Sequence, residues 1–177
     1  MRAIPIPITV TALAAALLLT ACDSGSSDTG SGDKGTGSTA CRSNDVGIQV
    51  GPANAAPAAG DTGNVPVTVT NRGARCTLKG FPGVTLDAGN VMTTVPQDES
   101  GKPQQLTLAK DDTATFTLTY VRGKKDGAKS LEVRSLKISL PGAPDNHAFP
   151  WSYGPVQGKE DVNDPDASVT AFQQAGD

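Results

Sequence analysis

From residue 41 onward, hydrophobic residues fall on every second position over short stretches. Val65, Val67 and Val69 alternate with Pro66, Thr68 and Thr70, the period of a strand with one buried face and one wet face. Val46, Ile48 and Val50 repeat the pattern, and Phe116, Leu118 and Tyr120 alternate with Thr115, Thr117 and Thr119 in a way that excludes a helix. Leu131 and Val133 give way to Leu136, Ile138 and Leu140, so the alternation changes phase at Arg134 and Ser135, as a bulge or a break requires. Shorter strands are predicted within 84–86, 91–95, 106–108, 149–153 and 167–172.

The stretch 64–86 organises the rest. Pro66 cannot donate to a ladder, so the strand beginning at Val65 is predicted to start at a sheet edge or to pair on only one side there. Asn71-Arg72-Gly73 reads as a tight turn in which Asn and Gly are available for positive φ. Cys76 follows as a half-buried residue, and Gly80-Phe81-Pro82-Gly83 bends the chain again. Many short strands punctuated by turns predict one all-β domain over 41–177, a sandwich of about seven to nine strands.

Composition agrees with short strands and many turns. Of the 177 residues, 20 are Gly and 13 Pro, while aromatics make up 4%. The 15 Lys+Arg against 18 Asp+Glu give a formal net charge of -3, which leaves no basic field for a polyphosphate backbone and excludes nucleic acid as a partner.

Residues 1–21 read as a signal peptide: Met1-Arg2 is positive, and the apolar run that follows is too short and too proline-broken for a comfortable membrane span. Leu19-Thr20-Ala21-Cys22 resembles a bacterial lipobox, so Cys22 is expected to carry lipid and anchor the chain on the extracytoplasmic face of the cell membrane. The alternative is an ordinary secretory signal whose cleavage site happens to precede a cysteine. Residues 22–40 then form a flexible Ser/Gly-rich tether with a reach of roughly 20–25 Å. With Cys22 used for lipid, Cys41 and Cys76 remain in an oxidising compartment and are expected to pair, stapling the end of the tether to the central strand pair. A reactive thiol is the alternative, but neither cysteine has a neighbouring His or a CxxC partner.

The segment Cys76-Thr77-Leu78-Lys79-Gly80-Phe81-Pro82-Gly83-Val84, preceded by Val69-Thr70-Asn71-Arg72-Gly73 and by Cys41, resembles the DUF4232 family of secreted and lipid-anchored actinobacterial proteins. The resemblance covers about residues 41–140, with Lys110-Asp111-Asp112 where the family often has a Pro-Gly-type turn. It implies an immunoglobulin-like β-sandwich outside the cell membrane, without an assigned activity. The tail after Leu140 is not placed by it.

Little in the chain points to catalysis. His147 is the only histidine; Asp145 and Ser152 lie near it in sequence, but there is no GxSxG elbow and no metal-ligand spacing, so no catalytic residue, metal or cofactor is assigned. Phe149, Trp151 and Tyr153 would face one way on a strand, as a stacking platform if exposed and as core if buried, and the scarcity of aromatics favours core. Arg122, Lys124, Lys125 and Lys129 form a basic hairpin-like loop that could touch anionic polymer or lipid headgroups, or be a solvated tip. The run 161–166, with its Asp and Asn residues, lacks the glycine and glutamate of an EF-hand loop. The expected function is an envelope binding or scaffolding module, with cell-wall glycan or an envelope protein as partner. A small-ligand-capturing lipoprotein serving a transporter is the alternative, and a hydrolase a distant one.

Overall fold

Two of the alternating runs become the long strands at the centre of the molecule. The computed structural model describes residues 39–175; the signal segment, Cys22 and nearly all of the tether expected from the sequence lie outside the described residues. A 3-10 turn at Ser43–Asp45 precedes β1 (Val46–Val50), β2 (Thr62–Asn71), β3 (Cys76–Lys79), β4 (Gly83–Asp87), β5 (Met92–Thr94), β6 (Gln105–Leu108) and β7 (Thr113–Val121). These are followed by β8 (Ser130–Leu131), β9 (Ser135–Ser139), β10 (Asn146–Pro150), β11 (Val156–Gln157), β12 (Ala167–Val169) and β13 (Gln173–Gln174).

The larger sheet runs β1-β2-β7-β12, with β13 also on β7, and the second runs β10-β9-β4-β5. Two short ladders, β3-β6 and β8-β11, complete a β-sandwich. The strands number more than the seven to nine expected because several span only two or three residues. Inward residues of both sheets, among them Val65, Val67, Leu118, Leu86 and Ile138, belong to one hydrophobic cluster.

Pro66 sits where one of the two ladders of β2 stops. β7 pairs with β2 from Thr62 to Thr70, but β1 reaches only to Val67. The Pro66 carbonyl accepts from Gly51 N–H at 2.8 Å, so its nitrogen faces the same side, just past the last β1 pair. One-sided pairing at this point is what the missing donor demands.

The phase change at Arg134 and Ser135 is a break between strands of different ladders: β8 pairs with β11, and β9 with β10 and β4. The tail left unplaced by the sequence completes the larger sheet. Ala167, Ser168 and Val169 lie opposite Tyr120, Thr119 and Leu118, whereas Gln173 and Gln174 lie opposite Thr115 and Ala114. The register therefore slips by one residue between β12 and β13, a bulge that buries the consecutive residues Ala171 and Phe172. Phe172 meets Phe116 edge-on, with centroids 5.5 Å apart.

Two local expectations are corrected. The turn after β2 uses no positive φ at Asn71 or Gly73. Instead Asn71 is fully buried, and its side chain bonds the turn internally through Gly73 N and Ala74 O. Cys41 and Cys76 are joined by a disulfide, with Cα atoms 4.9 Å apart and both residues buried. It does not reach the central pair: it ties residue 41 to β3, where Cys41 N donates to Thr77 O and Ala40 bridges Thr77 in parallel.

Candidate functional site

The five strands of the larger sheet read VGIQV, TGNVPVTVTN, TATFTLTYV, ASV and QQ, without one charged residue. Because side chains alternate, their outward positions are mostly threonine. The register aligns these positions in rows across the strands. Ser168, Thr119 and Asn64 form one row, and Thr117 and Pro66 the next. Gln173, Thr115, Thr68 and Gln49 form a third, and Thr113, Thr70 and Gly47 a fourth. With strands about 4.8 Å apart and alternate residues roughly 6.7 Å apart, the face is a lattice of hydroxyls and amides about 20 Å long.

Three side-chain oxygens here are engaged by the protein itself: Thr119 Oγ1 donates to Asn64 Oδ1 at 2.9 Å, and Thr170 Oγ1 accepts from Thr117 N–H at 3.0 Å. The hydroxyls of Thr68, Thr70, Thr113, Thr115 and Thr117 make no hydrogen bond to any described residue. All five residues are half-exposed.

Depressions adjoin the face on both sides of β12. A cleft of about 510 Å³ opens beside Thr170, Gln173 and Gln174, between the bulge and the 98–104 loop, with Leu106 and Phe172 at its base. A smaller hollow of about 250 Å³ lies among Thr62, Thr119 and Ser168. Each rim carries one acid and one lysine, Asp98 with Lys102 and Asp166 with Lys159, so neither has a net formal charge. Hydrogen bonds from the Ser100 hydroxyl and backbone N–H hold the Asp98 carboxyl below its usual pKa.

The surfaces suggested by the sequence resolve differently. Phe149, Trp151 and Tyr153 do not form an exposed platform, because β10 ends at Pro150 and the chain then turns inward. Trp151 is 8% exposed and lies edge-on between Tyr120 and Tyr153, at 5.1 Å and 4.9 Å, while its indole N–H donates to Gly154 O at 2.6 Å. Phe149 is half-buried against the core. Tyr120 Oη in turn donates to Tyr153 O and accepts from Ala56 N–H, and burial raises its phenol above the usual value. The folded state therefore resists tyrosinate formation more than the unfolded chain does. Stability is expected to hold up to about pH 10 and to fall as pH rises from there through the higher folded pKa. Denaturation followed across alkaline pH, with Tyr120→Phe abolishing this part of the slope, checks it.

The basic loop is no hairpin, since β7 and β8 do not pair with each other. Arg122 is fixed by the Ala56 and Pro57 carbonyls at 2.8 Å and 3.1 Å, and Lys129 Nζ lies 3.4 Å from Lys159 O, which leaves Lys124 and Lys125 as its exposed cations without such partners. His147 Nε2 is 3.2 Å from Ser43 O and has no hydrogen bond to Asp145 or Ser152. The 161–166 run is a structural turn in which Asp161 Oδ1 accepts from Asn163 N–H, and no metal-ligating cluster occurs among the described residues.

A family model for DUF4232, a domain of unknown function, matches residues 41–173. The chain belongs to the DUF4232 family. The match begins at the first cysteine of the disulfide and extends through the bulge to β13, past the residue 140 limit of the resemblance read from the sequence. No curated protein and no solved structure matches the chain. Within this DUF4232 domain the threonine face escaped the sequence reading, although its signal is there: threonine on seven of the ten wet positions of two long strands, with no lysine or glutamate among them.

Proposed function

We propose that this DUF4232 protein is a lipid-anchored binding or scaffolding module on the extracytoplasmic face of the cell envelope, of the actinobacterial lipoprotein type. It works by engaging a cell-wall glycan or an envelope protein rather than by catalysis. The observation that carries the reading is the disulfide between Cys41 and Cys76, a bond suited to an exported domain, just downstream of the lipobox-like Leu19-Thr20-Ala21-Cys22. Clipping residue 41 to β3 gives the 22–40 tether a fixed point of attachment on the domain.

Cys22→Ala is expected to move the protein from the detergent-rich to the aqueous phase on detergent phase separation, because acyl burial contributes about 0.8 kcal/mol per CH₂. A variant retained quantitatively in the membrane fraction overturns the anchor.

A further inference from the structure

We infer that the threonine face of the β1-β2-β7-β12 sheet is a binding surface for a neutral polysaccharide. The inference deepens the binding-module reading and depends on it, but it is independent of the lipid at Cys22. Three observations converge. The sheet's strands carry no charge in a chain with 33 formally charged side chains, 15 basic and 18 acidic, and the Arg72 guanidinium reaches the face only over Gly47 in its end row, so the central rows offer no charge to a polyanion. Its row of Gln173, Thr115, Thr68 and Gln49 crosses four strands and supplies donors and acceptors together, and the hydroxyls of Thr115 and Thr68 are not committed to the protein. Depressions of about 510 and 250 Å³ border it, with volume enough for sugar units beside the rows.

A protein partner fits this chemistry less well. Interfaces between proteins draw their energy from aromatic and arginine anchors, and threonine is under-represented among such hot spots. The strands place no aromatic residue and no arginine of their own on the face; the Arg72 guanidinium, from the turn after β2, covers Gly47 in its end row. A saccharide presents what a threonine array can answer: hydroxyls for the Oγ1 atoms and C–H patches for the methyl groups.

The purified full chain is tested by interferometry over immobilised neutral glucan, mannan, galactan, arabinan and chitin oligosaccharide, with heparin as the polyanion, at low and high salt. Retention on at least one neutral glycan, unchanged by salt, is expected. Thr68→Val with Thr115→Val and Thr117→Val keeps side-chain shape and strand preference, so its thermal midpoint is expected to match the parent while affinity falls about tenfold. Gln49→Ala with Gln173→Ala, which changes only exposed side chains, is expected to weaken binding as well. Failure of every neutral glycan to bind, unaltered affinity in both variants, or binding to heparin alone that salt abolishes overturns the inference. So does self-association through this face in sedimentation velocity. If no glycan binds but the face crosslinks to an envelope protein, the polysaccharide fails while the binding-module reading stands. If neither engages it, both fail.

Discussion

Asn71→Ala is expected to destabilise the domain by roughly 3–5 kcal/mol, because it strands one buried and three part-buried backbone groups at once. The Asn71 amide nitrogen donates to Ala74 O at 2.9 Å, Leu108 O at 3.1 Å and Ala109 O at 3.0 Å, and Oδ1 accepts from Gly73 N–H at 3.0 Å. One side chain thus closes the turn after β2 and fastens it to the end of β6 and the turn leading into β7. Alanine leaves the buried Leu108 carbonyl facing a small void that no protein donor fills. Asn71→Asp separates hydrogen bonding from shape. At neutral pH its carboxylate would face carbonyl oxygens, and this raises the folded pKa above the unfolded value of about 3.9. Its stability relative to the parent is therefore expected to be highest below that unfolded pKa and to fall as pH rises through the folded one. Urea unfolding of both variants across pH measures this, and an Asn71→Ala midpoint equal to the parent's would refute the role given to the amide.

Cys41→Ser with Cys76→Ser is expected to cost about 4 kcal/mol, the chain-entropy value for a loop closed over the observed separation of 35 residues. The loss falls unevenly. β2 and β7 stay held by their own register, whereas residues 39–41 along β3 lose their covalent tie and are left to hydrogen bonds between Thr39, Cys41 and Thr77. Protection from hydrogen exchange should therefore drop first at Cys41 and Thr77 and last in β7. A uniform drop across both sheets would show instead that the bond supports the whole sandwich. Denaturant titration of the oxidised and reduced full chain gives the total.

Much of the fold was legible because period two is hard to disguise. The runs at Val65 to Val69 and Phe116 to Tyr120 could bury one face only as strands, and the shift between Val133 and Leu136 marked a real break. What was not legible depends on long-range register. The Asn71 side chain looked like a source of positive φ, but its partners 37 and 38 residues away make it an internal strut. Phe149, Trp151 and Tyr153 have strand spacing, and only the end of β10 at Pro150 shows that Trp151 and Tyr153 leave the strand. The threonine face was visible as wet positions on single strands. Its extent depends on the alignment of β1, β2, β7 and β13, which local spacing does not fix.

The pairing of β7 with strands from both ends of the domain has a consequence for the order in which the fold can close. One edge of β7 is covered by β2, and the other is covered only by β12 and β13, at residues 167–174. A chain that emerges N-terminus first cannot close the larger sheet until residues 167–174 are out. Such non-local pairings form slowly, so under the export proposed above residues 41–166 would pass the membrane before the sandwich locks. On that proposal the arrangement would keep the chain threadable during transit and commit it to a rigid shape only on the far side.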